Sequence, residues 1–164
     1  MLSIIPNPLH PAIVHLPMAI VVLLPLVVLG AIWAIRRGAR PRTTWGIAAA
    51  VHAVLALSAW ASLASGDEAG EQVERVIAEA PVETHEEAAE AFLVLAAGAT
   101  VLSLVGLRSD RIGSIGRGVT AAGTLALVAA GWNVGHSGGQ LVYRHGAAQA
   151  YVDATQHVPV GSRE

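Results

Sequence analysis

PAIVHLPMAIVVLLPLVVLGAIWAI, residues 11–35, contains no Asp, Glu, Lys or Arg. Crossing a bilayer takes about 20 apolar residues in helical conformation, so this stretch is long enough to span one. Three more follow: residues 43–65, residues 85–107, uncharged from Ala91 on, and residues 118–143. A soluble bundle would show a polar stripe at helical spacing. These stretches are apolar nearly all round. The fold expected is all-α, an integral membrane bundle of four antiparallel transmembrane helices. Residues 1–148 form the four-helix domain, and residues 149–164 a loosely held outer tail.

Composition agrees. Of 164 residues, 54% are hydrophobic and 13% charged, against about 25% charged in ordinary soluble domains. Mean hydropathy is +0.56. There are too few charges to coat a water-soluble globule, and too much apolar surface for disorder. A net charge of −2 offers no basic footprint, so no nucleic-acid partner is expected. The absence of cysteine removes disulfides, Cys-ligated zinc, iron–sulfur clusters and covalent haem attachment. Non-covalent haem and His or carboxylate metal sites survive.

Arginine sets the orientation. Arg36, Arg37, Arg40 and Arg42 follow the first span, and Arg108, Arg111 and Arg117 separate the third from the fourth. The middle connection is acidic, with Asp67, Glu68, Glu71, Glu74, Glu79, Glu83, Glu86 and Glu87 against Arg75 alone. Positive-inside reasoning places the arginine turns in the cytoplasm and both termini outside. The first span carries its charge after the apolar run, the reverse of a signal peptide, and is read as uncleaved. Pro17 and Pro25 should kink it. Thr84-His85-Glu86-Glu87 has the spacing of a capping box opening the third span. Residues 66–80 could form an amphipathic surface helix. Gly131, Gly135 and Gly139 permit close approach of another helix or a flat ligand.

Seven histidines are unevenly placed. His10, His15, His85 and His136 fall near the outer ends of spans, with His145 and His157 just beyond. Only His52 lies deep, with a lone structural hydrogen bond or a proton relay equally open. His15 and His136 sit at matched depth, about 6–10 Å inside the outer boundary at 1.5 Å per residue. Intramembrane ionisable residues usually mark a site or pathway. Matched imidazoles on different helices are what a b-type haem needs, which makes His15, His85, His136 and His145 the candidate cofactor ligands. A His-bound transition metal is the alternative, with His10, His15, His85 and Glu86 as donors. The competing interpretation is that single histidines, His10, His145 and His157 above all, satisfy helix-end carbonyls. No catalytic residue is assigned: no HExxH spacing, Cys nucleophile or Ser, His and Asp set stands out.

LHPAIVHLPMAI (residues 9–20), SGDEAGEQV (65–73), HEEAAEA from His85, and GHSGGQLVYRHGAA (135–148) together resemble the bacterial membrane family called domain of unknown function 2231. Leu16 stands where Phe is more usual. The resemblance implies a four-span bundle in the bacterial inner membrane with periplasmic termini. It implies no established activity. Relatives joined to Rieske or cytochrome-type modules point to a respiratory or redox setting. The motif positions carried over are His10, Pro11, His15, Pro17, His85, Glu86, Gly138, Gly139, Tyr143, His145 and Gly146; His136 has weaker family support. The function expected is a membrane-embedded haem or metal protein, an electron carrier or accessory subunit more than a catalyst. Lipid and redox or membrane proteins are its expected partners, and an oligomer is compatible. The alternative is a cofactor-free subunit that packs against or docks partner proteins. A transporter ranks last, for want of a charged pathway or inverted repeat.

Overall fold

A computed structural model describes residues 9–156. Six helices follow in order: α1 (His10–Ile13), α2 (His15–Arg36), α3 (Pro41–Val73), α4 (Glu79–Val105), α5 (Arg111–Tyr143) and α6 (Gln149–Gln156). No strand occurs among the described residues. Four helical stretches, with α1 and α2 counted as one, are long and apolar enough to cross a membrane. Helix breaks fall where the chemistry requires. Pro17 cannot donate to the Ile13 carbonyl, and the helix is interrupted at Val14, while Pro25 is carried inside α2. Gly38, at φ 98°, ends α2, with Gly38 N–H bonded to Ile35 O and Ala39 N–H to Ala34 O. That pair of bonds needs a left-handed residue, which glycine adopts without strain.

The helices pack as a ring in which α2 meets α3, α3 meets α4, α4 meets α5 and α5 returns to α2. Val21, Leu24, Val28 and Ala31 of α2 recur every three or four residues and face Leu55 and Ala59 of α3, Phe92, Ala96 and Ala99 of α4 and Leu127 of α5 in one core. The outside is as apolar as the inside: Leu26 is 69% exposed and Trp132 75%. The polar residues His52, Ser103, Thr120 and Thr124 are buried instead. Such inversion suits a bundle solvated by lipid, where apolar side chains have nothing to gain from hiding and hydroxyls do.

One end of α4 is closed by side chains from its neighbours. The Trp45 indole, fully buried, donates to Ser103 O at 2.8 Å, and its ring fills the space where a Cβ on Gly106 would sit. Arg117 donates from Nη1 to Gly106 O at 2.7 Å and Arg108 O at 2.9 Å. These bonds satisfy carbonyls that a helix C-terminus leaves without partners. Asp110 then starts α5 by accepting from Gly113 N–H at 3.0 Å, and pairs with Arg108 at 2.7 Å. The Arg108 guanidinium, with the Gly113 N–H, pulls the Asp110 carboxyl from 3.8 down to about 2. A carboxyl depressed in the folded state contributes stability above its ordinary range and loses it as pH falls through the lower value. Acid unfolding followed by circular dichroism should therefore show a contribution lost between 3.8 and about 2 that is missing in Asp110→Asn.

At the histidine-bearing end the helices run further than the sequence suggests. No separate surface helix forms over residues 66–80: α3 continues unbroken to Val73, and α4 starts at Glu79, six residues before His85. Thr84 does not cap. Its hydroxyl donates to Ala80 O one turn back inside the helix. A 33-residue helix such as α3 is about 50 Å long at 1.5 Å per residue, against roughly 30 Å of hydrocarbon, so α3 has residues to spare beyond a bilayer. These extensions carry a second small core of Val73, Val82, Leu141 and Ala147. Ala150 and Tyr151 pack on it, so the start of the expected loose tail is docked as α6. Partial burial, with the nearby Glu68 carboxylate second, raises the Tyr151 phenol above its usual range.

Candidate functional site

His10 opens α1 and His85 lies in the second turn of α4, yet their rings meet edge to face. The centroids are 6.3 Å apart and the planes 82° apart. Each ring is held by one nitrogen. His10 Nδ1 lies 3.0 Å from Ser62 O and 3.1 Å from Ser65 Oγ, both on α3. His85 Nδ1 lies 2.9 Å from Ser137 Oγ on α5.

The network fixes where the protons sit. Ser65 spends its hydroxyl proton on Ser62 O, and Ser137 spends its own on Val134 O. Facing the imidazoles, these oxygens can only accept, as can the Ser62 carbonyl. His10 Nδ1, facing the Ser62 carbonyl, therefore carries the hydrogen and keeps its lone pair on Nε2; with the Ser137 proton on Val134 O, His85 Nδ1 donates likewise. Histidine ligands are commonly oriented in this way, the far nitrogen donating to a carbonyl or hydroxyl while the near one binds.

The same dipeptide builds both halves. Ser65-Gly66 faces His10, and Ser137-Gly138 faces His85. A Cβ on Gly66 would stand 3.3 Å from His10 Cε1, and one on Gly138 3.0 Å from His85 Cε1. The serine holds Nδ1, and the glycine beside it lets backbone approach the carbon between the two nitrogens. Composition gives no hint of this device. The repeated Ser-Gly pair, one copy in each of two separated helices, is the signal that could have revealed it.

The separation bears on coordination. Two imidazoles on opposite sides of one ion stand about 6.3 Å apart, from metal–nitrogen bonds of roughly 2.0–2.1 Å and about 1.1 Å from nitrogen to ring centre. A tetrahedral angle would bring the centroids to about 5.2 Å. The observed centroid distance equals the first of these values, with the two rings meeting edge to face.

The other candidates lie elsewhere. His15 is exposed on α2. His136 is exposed and its Nε2 accepts from Gln140 Nε2 at 2.7 Å. His145 is exposed and lines a separate open groove of about 290 Å³ with Ser137 and Gln140. Glu86 turns toward α3, where only a glycine at position 70 leaves room for its carboxylate. Of His10, His15, His85 and Glu86, the structure brings the two rings His10 and His85 into contact. Among the described residues no three His, Cys, Asp or Glu side chains converge to hold a metal ion unaided. His157 lies outside the described residues. Comparison with family models, curated proteins and solved structures found no match for the chain.

Proposed function

We propose that this chain is a membrane-embedded protein that holds a b-type haem, or a single transition metal ion, through the Nε2 atoms of His10 and His85. It would serve as an electron carrier or respiratory accessory subunit. One observation carries the reading: two rings from helices far apart in sequence, each held through Nδ1 by a neighbouring helix, stand 6.3 Å apart. Neutral imidazoles are suitable donors for iron or copper, and the glycine backbone beside each Cε1 suits a flat group better than a branched side chain would. A bound haem would supply one-electron chemistry. The chain's part is to fix tautomer and ring angle and to exclude water.

The supporting topology is an antiparallel up-and-down bundle. Contacts pair Met18 with Gly135 and Val21 with Gly131, and descend likewise from Gly106 with Gly116 to His85 with Gly138. Positive-inside reasoning on the arginines puts the His10–His85 end on the outer, periplasmic face of a bacterial inner membrane. The second reading is a cofactor-free subunit. It is favoured by the fact that the same Ser–His bonds tie α1 to α3 and α4 to α5.

An optical spectrum of detergent-purified protein, oxidised and then reduced, with metal content measured on the same sample, separates the two. The proposal expects a Soret band that shifts on reduction, or one transition metal per chain. Colourless, metal-free protein after haem-supplemented expression leaves the cofactor-free reading. Ser137→Ala removes the acceptor that orients His85, and groups of this kind are worth about 10–100-fold in ligand affinity. Competition with apomyoglobin or a chelator should show a loss of that size, with helix content unchanged.

A further inference from the structure

His52 is fully buried near the middle of α3, and it is the one buried side chain among the described residues with an unpartnered polar atom. Its Nδ1 lies 2.8 Å from Ala48 O. A carbonyl can only accept, so Nδ1 carries a hydrogen and Nε2 is the unpartnered atom. The hydroxyls that line the core have a common orientation. Thr100 shares its one proton between Ala96 O and His52 O, and Ser103 donates to Thr100 O, Thr120 to Gly116 O and Thr124 to Thr120 O. Ser58 and Ser62 likewise donate to Leu55 O and Ser58 O. Each has spent its proton on backbone and keeps only lone pairs. Helix register, set by contacts of Gly106 with Gly116 and of Phe92 with Gly131, places Thr124 within a turn of the level of Thr100 and His52.

A neutral His52 leaves its Nε2 lone pair buried with no donor to meet it; a protonated His52 presents an N–H there instead. Lipid-buried ionisable residues are retained where they bind or pass charge. We propose that His52 is a proton-binding station at the middle of the bundle. Its Nε2 exchanges a proton, by way of water entering the bundle, through an interior that also buries the hydroxyls of Ser58, Ser62, Ser103, Thr120 and Thr124. The proton adds to and leaves from Nε2, while the Nδ1–H stays on Ala48 O, so no other group changes charge. Among the buried side chains of α2 to α5 the other ionisable group is Arg117, already tied to Gly106 O and Arg108 O. Leu24, Leu55 and Leu127 pack fully buried in the same interior, so passage is slow and gated, unlike a channel's. The inference stands independently of any cofactor at the outer pair.

The test uses the full chain in liposomes holding a pH-sensitive dye, with a potassium–valinomycin potential driving protons. Uptake above that of empty vesicles, falling to the empty-vesicle rate in His52→Gln, supports the proposal. Uptake equal to empty vesicles, or equal in wild type and His52→Gln, overturns it. Should His52→Gln fail to fold, nitrogen NMR of ¹⁵N-histidine wild type in bilayers decides. Nε2 of His52 is expected to gain its proton as the bulk pH is lowered. An Nε2 that stays unprotonated throughout overturns the proposal.

Discussion

Replacing His85 by alanine is expected to abolish cofactor retention, as is replacing His10, while His136→Ala leaves it unchanged. If the His10–His85 pair holds the group as proposed, with no third protein donor converging among the described residues, loss of either ring leaves a single ligand. The effect should be all-or-none in the absorbance or metal content of purified protein. His136 is the informative control. It shares the depth of the pair, but its ring is exposed and its Nε2 already accepts from Gln140. Should His136→Ala lose the cofactor and His10→Ala keep it, ligands other than the His10–His85 pair hold the group.

The largest effect on stability is expected at Trp45. The indole is fully buried and bonded to Ser103 O, and truncating a large buried ring costs about 3–5 kcal/mol through lost contacts and the cavity left behind. Trp45→Ala should unfold at markedly lower denaturant than wild type in a detergent titration followed by circular dichroism. Trp132→Ala, which removes a ring that is 75% exposed, should change little. Equal losses for the two would mean that the interior of the bundle is not where its stability resides. Gly106→Val checks the same contact from the opposite side and should also destabilise, since its Cβ would collide with the buried indole.

The four long helices were legible because charge is the strongest signal in a chain this apolar. Runs without Asp, Glu, Lys or Arg mark the spans, and Pro17 marks the break that the structure places at Val14. The helix ends at the acidic turn were not legible. Thr84 and Glu87 have capping-box spacing, but a threonine three residues before a glutamate reads the same inside a helix, where its hydroxyl bonds one turn back. Depth along a helix can be counted from sequence, whereas the direction a side chain faces depends on how the helix is rotated against its neighbours. His136 and Ser137 differ by one residue and about 100°. Ser137 faces His85, which leaves His136 outside. In the same way His10, rather than His15, turns inward to α3. The Ser-Gly pairs carry little signal in the sequence because neither residue type is chemically conspicuous; their meaning lies in what the opposite helix presents.

The most direct test of the central claim is to count the nitrogens bound to the cofactor by pulsed EPR on purified, loaded protein grown with ¹⁵N-histidine. The expected result is two imidazole nitrogens in the wild type and no bound group to count in either His10→Ala or His85→Ala. A bound group with no histidine nitrogen, or one whose two nitrogens persist when both rings are replaced, would contradict it.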